Sequence, residues 1–260
     1  VSFSEPVIAR PPYSALLDWA DGVLTVSLNL GNYGFLFEDP LYVAAYLSSI
    51  ATAGAATLVC LVIAYPMALL IARSRYRVLL LMLVILPFWT SFLLRMYALI
   101  GLMAPTGFIN AALGLIGIPP LAMLQTDFAV YMGIVTGYLP LMILPLYSVM
   151  KTIPPSYERA AKSLGASNWT AFWRVYFPQT VPGIGAGAIL VFILAIGYYI
   201  TPELVGGTSG TFISNRIAYH ISSSLNWGLA AALGTILLVL VLALYWVYDQ
   251  IVGIDNVKLG

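Results

Sequence analysis

LYVAAYLSSIATAGAATLVCLVIAYPMALLIA, residues 41–72, runs its full length without Asp, Glu, Lys or Arg. About 20 apolar residues suffice for a helix to cross a bilayer, so this stretch is long enough to span on its own. Four more runs share the property, at 78–94, 128–150, 175–202 and 221–248. They lack the period-two alternation of barrel strands and are too continuous to be read as such. Composition agrees: 61% of the 260 residues are hydrophobic and 8% charged, against roughly 25% charged in a soluble domain. The sequence therefore predicts an all-α polytopic membrane protein with five visible spans.

Eleven basic and ten acidic residues leave a net charge of +1, which gives no basic surface for nucleic acid. The positions of those charges are more informative than their sum. Arg73, Arg75 and Arg77 fall between the first two spans, and Lys151, Arg159, Lys162 and Arg174 between the third and fourth. The opposite side carries Glu5, Asp18, Asp21, Glu38, Asp39, Asp127 and Glu203, with Arg10 and Arg216 as its chief basic residues. By the positive-inside rule the basic connections face the cytoplasm. Residues 1–40 are then an extracytoplasmic segment, 41–252 the transmembrane domain, and 253–260 a cytoplasmic tail. An external start at Val1, with no signal peptide in VSFSEPVIARPP, leads to the expectation of a sixth, N-terminal span before it.

The connections differ in kind. Residues 103–126 are apolar but broken by Pro105, Gly107, Gly114, Gly117, Pro119 and Pro120, which leaves room for a short helix at 108–115. Residues 208–227 read as a loop with another short helix, where His220, the only histidine, is expected at the surface. Prolines 66, 87, 140, 145 and 202 fall in or at the ends of spans and are expected to kink them. Gly183, Gly185 and Gly187 permit close helix approach. Cys60, the only cysteine, can form no intrachain disulfide and reads as a packing residue.

The polar segment KTIPPSYERAAKSLGASNWTAFWRVYFP, residues 151–178, is built like two helices around a corner. Pro154 and Pro155 end the preceding span, and Ser156 is the expected cap of a helix with Glu158 near its start and Lys162 in its last turn. Gly165 then stops that helix, and Ser167 caps a second one that rises through Trp169, Phe172 and Trp173 into the next span. Ala160 and Ala161 keep the first helix slim. It can act as a knob seated in a cytoplasmic partner, or lie in the lipid headgroups, which its tryptophans and basic residues would equally favour.

Arg159-Ala160-Ala161-Lys162-Ser163-Leu164-Gly165, then nine residues, then Val175-Tyr176-Phe177-Pro178, resembles the E-A-A-x-x-x-G-x9-I-x-L-P loop of membrane subunits of binding-protein-dependent ATP-binding-cassette importers. Arg159 stands where that family usually has glutamate, with Glu158 just before it. PFWTSFLLR at 87–95 and YYITPELVGG at 198–207 resemble the spermidine/putrescine (PotB-like) branch, and the likeness covers most of 35–251. It implies a type I importer permease fold with six helices in a bacterial inner membrane. It also implies a second permease subunit of the PotC type, two ATPases that bind ATP and Mg, and an extracytoplasmic solute-binding protein. Ser156, Tyr157, Glu158, Arg159, Ala160, Ala161, Lys162, Gly165 and Ala166 would form the contact with the ATPases.

The chain has no G-x-x-x-x-G-K-[ST] phosphate loop and no sequence cluster of metal-binding or nucleophilic residues, so it reads as a non-enzyme subunit without a cofactor of its own. An ion-gradient-driven carrier is the competing class. Such carriers place ionisable groups or broken helices at mid-membrane depth, whereas the charges here fall at span ends. Arg95 and Glu203 are the charges closest to the apolar runs on the outer side. At about 1.5 Å per residue along continuous helices they lie at similar depth. Arg95 either snorkels to headgroups or holds an outer gate through Glu203 itself. Glu203, with Tyr198, Tyr199 and Trp89, would in the second case line the path of a cationic solute. Polyamines are the leading substrate expectation, ahead of other small organic solutes.

Overall fold

Small side chains recur along one face of the first long helix. Ala45, Ser49, Ala53, Ala56, Cys60, Ala64 and Ala68 are each at most 1% exposed, and their spacing of three to four residues keeps them on one stripe. Between apolar helices in lipid, close packing rather than exclusion of water drives association, and small residues permit it. The computed structural model describes residues 1–4, 17–20, 23–26, 28–207 and 212–252.

Strands β1 (Leu17–Ala20) and β2 (Val23–Val26) pair antiparallel, Leu17 opposite Val26 and Ala20 opposite Val23. This hairpin lies in a stretch the sequence left without secondary structure. Helix α1 (Gly31–Glu38) follows, then α2 (Pro40–Arg73). Asp39 starts α2 by accepting the Leu41 N–H at 2.9 Å, with Pro40 at a position that needs no donor.

The second span departs from expectation. The apolar run at 78–94 is not one helix: α3 (Arg77–Ile85) gives way to a 3-10 turn at Leu86–Trp89, and α4 (Phe92–Met103) starts afresh after Thr90 and Ser91. Pro87 lies in that turn, where its ring and missing N–H disfavour continuation of the helix. The Pro87 carbonyl accepts both the Thr90 N–H at 3.2 Å and the Thr90 hydroxyl at 2.6 Å, which closes the turn. Helix α5 (Phe108–Leu115) forms where Pro105 and Gly107 punctuate the chain. Its return is pinned by the Asn110 amide, which donates to the Ala104 and Leu121 carbonyls and accepts the Leu121 N–H.

Next come α6 (Asp127–Thr152), α7 (Pro155–Ser163), α8 (Asn168–Ala171), a π-helical turn at Phe172–Tyr176 and α9 (Phe177–Ile196). Helices α10 (Ile200–Val205), α11 (Ile213–Ser222) and α12 (Trp227–Val252) complete the described chain. The fourth span thus begins at Asn168, earlier than residue 175, and ends at Ile196. The fifth begins at Trp227, because 221–222 close α11. Among the described residues five helical segments, with Phe92–Leu115 as the second, are long and apolar enough to cross a membrane. The expected tail at 253–260 lies outside the described residues.

Helices α2, α6 and α9 form the centre of the bundle. Cys60, Ala64, Ala68 and Ile71 of α2 meet Met142, Ile143, Leu146 and Met150 of α6 and Val191 of α9 in one buried cluster. The glycines of α9 serve two neighbours. A side chain at Gly183 would sit 3.2 Å from the Pro145 carbonyl of α6, and one at Gly187 3.2 Å from that of Met142, whereas one at Gly185 would meet Tyr248 of α12.

Candidate coupling helix and transport path

Helix α7 is short, polar and mostly exposed. It starts at Pro155, with Pro154 before it, so Ser156 already lies inside the first turn and makes no capping hydrogen bond. That corrects the expected cap: proline at N1 brings a helical φ and no spare N–H, and a side-chain acceptor is not required. Ser156, Tyr157, Arg159, Ala160 and Lys162 are exposed, while Glu158, Ala161 and Ala166 are half-buried toward the bundle.

The end of α7 is a left-handed glycine stop. Gly165 has φ +88°, its N–H donates to the Lys162 carbonyl at 3.0 Å, and the Ala166 N–H donates to the Ala161 carbonyl at 3.1 Å. These two bonds are the paired closures of a Schellman motif, which satisfy carbonyls the helix end would leave free. Leu164, beside the stop, is 90% exposed. Ser167 then caps α8 by accepting the Thr170 N–H at 3.1 Å, as its position in the sequence predicts.

Two contacts fix this corner to the bundle. Glu158 accepts a 2.5 Å charge-assisted hydrogen bond from Arg73 at the end of α2, and the Arg73 guanidinium also lies 4.9 Å from the centre of the Tyr176 ring. Glu158 is thus turned inward while Arg159 points out, so Glu158 does not supply the outward carboxylate missing at position 159. Below the corner a row of aromatic rings runs Trp169, Trp173 and Phe177, edge-on and then tilted, with successive ring centroids 5.5 and 4.7 Å apart. Tyr65 of α2 packs on Phe172 and Phe177 of the π turn and α9. Sequence reading missed Arg73 and Leu164 as members of this site.

At the other end the expected path residues divide into two groups. Arg95, in the first turn of α4, lies 5.5 Å from the Phe88 ring centre and 6.0 Å from that of Phe92. Phe92 in turn packs edge-on against Tyr198, whose ring centre is 5.0 Å from that of Tyr138. The buried Arg95 Nε has no hydrogen-bond partner. Arg95 borders a hollow of about 270 Å³ with Pro87, Met96, Thr136 and Gly137.

Glu203 belongs to a separate polar cleft of about 260 Å³ with Tyr199, Asn215, Arg216 and Tyr219. Its carboxylate accepts the Asn215 amide at 2.7 Å. The expected Arg95–Glu203 contact is not made: among the described residues the one ion pair is Arg73–Glu158. Counting along straight helices does not set the depth of either residue, because the chain breaks at Thr90–Ser91 before Arg95 and at Gly197 before Glu203. Trp89 is 88% exposed at the end of the 3-10 turn.

His220 corrects its surface assignment. It is buried, with Nε2 2.9 Å from the Tyr42 hydroxyl and Nδ1 2.8 Å from that of Ser224. It ties α11 to the start of α2. Burial, reinforced by the Arg216 charge, holds its pKa below the ordinary imidazole value. Among the described residues no group of three or more His, Cys, Asp or Glu side chains is placed to hold a metal ion.

Residues 61–252 match the family model described as binding-protein-dependent transport system inner membrane component. The chain is 39% identical over 225 residues to the spermidine/putrescine transport system permease protein PotB of Haemophilus influenzae, covering 85% of this chain and 78% of that one. Identity to PotB of Escherichia coli is 38% over 224 residues, covering 84% and 81%. A solved bacterial alginate ABC transporter, bound to an alginate-loaded periplasmic protein, superposes with a TM-score of 0.72 over 90% of this chain and 85% of its own at 18% identity. The last likeness concerns the fold. The chain belongs to the family of binding-protein-dependent transport system inner membrane components, as a PotB-like, multi-pass permease subunit with the type I fold.

Proposed function

We propose that this chain, a permease of a binding-protein-dependent transport system, forms part of the path by which an ATP-driven importer takes up polyamines or related small organic cations. In this reading the basic end of the bundle faces the cytoplasm. There α7 docks in a cleft of an ATPase, two copies of which bind ATP and Mg and supply the energy. A second permease subunit of the PotC type completes the path, and an extracytoplasmic solute-binding protein delivers the solute to the opposite end. The observation that carries the reading is the rigid corner at α7. An exposed helix with Tyr157, Arg159, Lys162 and Leu164 outward is anchored to α2 by Arg73–Glu158 and stopped by a left-handed glycine.

A force on the outer face of α7 reaches the bundle by two routes. One is the ion pair to α2, the longest helix, and the other is the aromatic row leading into α9. Packed helices of this kind move as units, so closing the ATPases would tilt α2 and α9 together and alternate the opening of the path. The polyamine assignment is supported by identity to the PotB proteins and, more weakly, by Glu203, which shares a cleft with Tyr199 and Tyr219 but also with the Arg216 guanidinium. A carboxylate beside aromatic faces suits an organic ammonium. Purification in a mild detergent tests the assembly: an ATPase should accompany the chain in wild type and be lost when Leu164 and Tyr157 are both replaced by Asp. An ATPase retained at wild-type level in that variant would contradict docking through α7.

A further inference from the structure

The cleft between α2, α3 and α6 changes character along its length. Toward the middle of the bundle it is an apolar groove of about 510 Å³, lined by Met67, Leu70, Ile71, Leu83, Leu139 and Ile143 among others. Beyond it, toward the basic end of the same helices and sharing no lining residue with it, is a second pocket of about 490 Å³ bordered by Arg73, Arg77, Lys151 and Glu158, with Tyr176 beside them. The two are successive on every helix. Ile71 lines the groove and Ala72 and Arg73 the pocket; Leu80 lines the groove and Arg77 the pocket; Ile143 lines the groove and Met150 and Lys151, about two turns on, the pocket.

We propose that this cleft is a binding site for one anionic phospholipid, its acyl chains in the groove and its phosphate among Arg73, Arg77 and Lys151. Charge sets the ligand class. Three cations face one carboxylate, Glu158 is already paired with Arg73, and neither Arg77 nor Lys151 has an ion-pair partner among the described residues, Lys151 resting its ammonium 6.0 Å from the centre of the Tyr147 ring. The pocket therefore holds two uncompensated positive charges where the spans end, which is headgroup level. A polycationic solute is repelled by such a mouth, and a free phosphate has no use for the apolar groove. The groove and the pocket together match an amphipathic anion. The orientation is that of the proposed function, but binding of the lipid does not depend on what the complex transports.

The site also touches the coupling corner. Arg73 would be shared between the lipid phosphate and Glu158 of α7, so an anionic headgroup sets the charge balance at the root of that helix.

The test uses the complete complex exchanged into bilayer discs of phosphatidylcholine containing phosphatidylglycerol, with retained lipid counted by native mass spectrometry after mild detergent extraction. The wild type should keep phosphatidylglycerol in preference to phosphatidylcholine. Arg77→Gln with Lys151→Gln should weaken that retention about tenfold or more, given the attraction of each basic side chain for an anionic surface. Leu83→Trp, which fills the groove and leaves the charges intact, should also reduce it, and it decides the matter should the double variant fail to assemble. Millimolar inorganic phosphate should not displace the lipid. Equal retention of the two lipids, unchanged retention in the variants, or displacement by inorganic phosphate alone would overturn the assignment. The second outcome is the one expected if the partner permease fills the cleft, and the third marks a free-anion site.

Discussion

Arg73 and Glu158 are separated by 85 positions in the chain and by 2.5 Å in the fold. Their side chains are 53% and 20% exposed, and an ion pair with that access to solvent adds at most about 1 kcal/mol to stability. Its importance is positional, since it joins the end of the longest helix to the exposed helix α7. Glu158→Gln is expected to leave the assembled complex and its melting temperature nearly unchanged, while lowering ATP hydrolysis stimulated by loaded binding protein several-fold. Exchanging the charges, Arg73→Glu with Glu158→Arg, should restore part of the stimulation. Full stimulation in the single variant would show that α7 is held by its other contacts.

Gly165 tests the corner itself. With φ at +88° any side chain is strained even though the space around it is open, and a β-branched residue is strained most. Gly165→Val is expected to cost about 1–3 kcal/mol locally and to abolish most solute-stimulated hydrolysis. Gly165→Asn, which tolerates the left-handed region better, should retain more. Equal activity of Val and Asn variants in reconstituted vesicles would count against the stop.

The two outer groups should separate in function. Glu203→Gln keeps a hydrogen-bond acceptor for Asn215 but removes the charge, so uptake of a cationic solute is expected to fall about tenfold with assembly intact. Arg95→Met removes a buried Nε that lacks a partner and keeps apolar contact with Phe88 and Phe92. Assembly should therefore hold, with basal hydrolysis altered through the α3–α4 break. Unchanged uptake in the first and unchanged basal hydrolysis in the second would remove both residues from the path.

Helices α2, α5, α6 and the corner at Gly165 were legible in the sequence because each is written locally, in a charge-free run, a Pro and Gly pair, or a cap and stop. The break before α4 was not. Residues 78–94 are apolar throughout, and a Pro87 inside such a run reads equally well as a kink or a stop; here the chain stops, with Thr90 closing the turn on the Pro87 carbonyl through both its N–H and its hydroxyl. The pairing of Glu158 was also hidden, since neither i,i+4 spacing nor a motif links residues 73 and 158. His220 looked like a surface residue because the Tyr42 and Ser224 hydroxyls that accommodate its two nitrogens come from opposite directions in the chain. The Arg95–Glu203 gate rested on counting along straight helices, and two breaks invalidate the count.

His220 gives the complex a pH-dependent component of stability. Its folded pKa lies below the unfolded value because burial, and then Arg216, disfavour the imidazolium. The unfolded chain therefore binds the extra proton more readily, and stability rises with pH. The contribution is fully present above the unfolded pKa of about 6.5 and is lost as pH falls from there through the folded pKa. Melting temperatures of the wild-type complex should drop between about pH 7 and pH 5, and His220→Gln should flatten that slope. An identical slope in the variant would assign the pH dependence to other groups.

ATP-dependent uptake of radiolabelled spermidine by proteoliposomes containing the complete complex is the most direct measurement of the central claim. The account predicts uptake that requires both loaded binding protein and ATP, and that an imposed ion gradient cannot replace. Uptake by this chain and its permease partner alone, driven by a proton or sodium gradient without the ATPases, would contradict it.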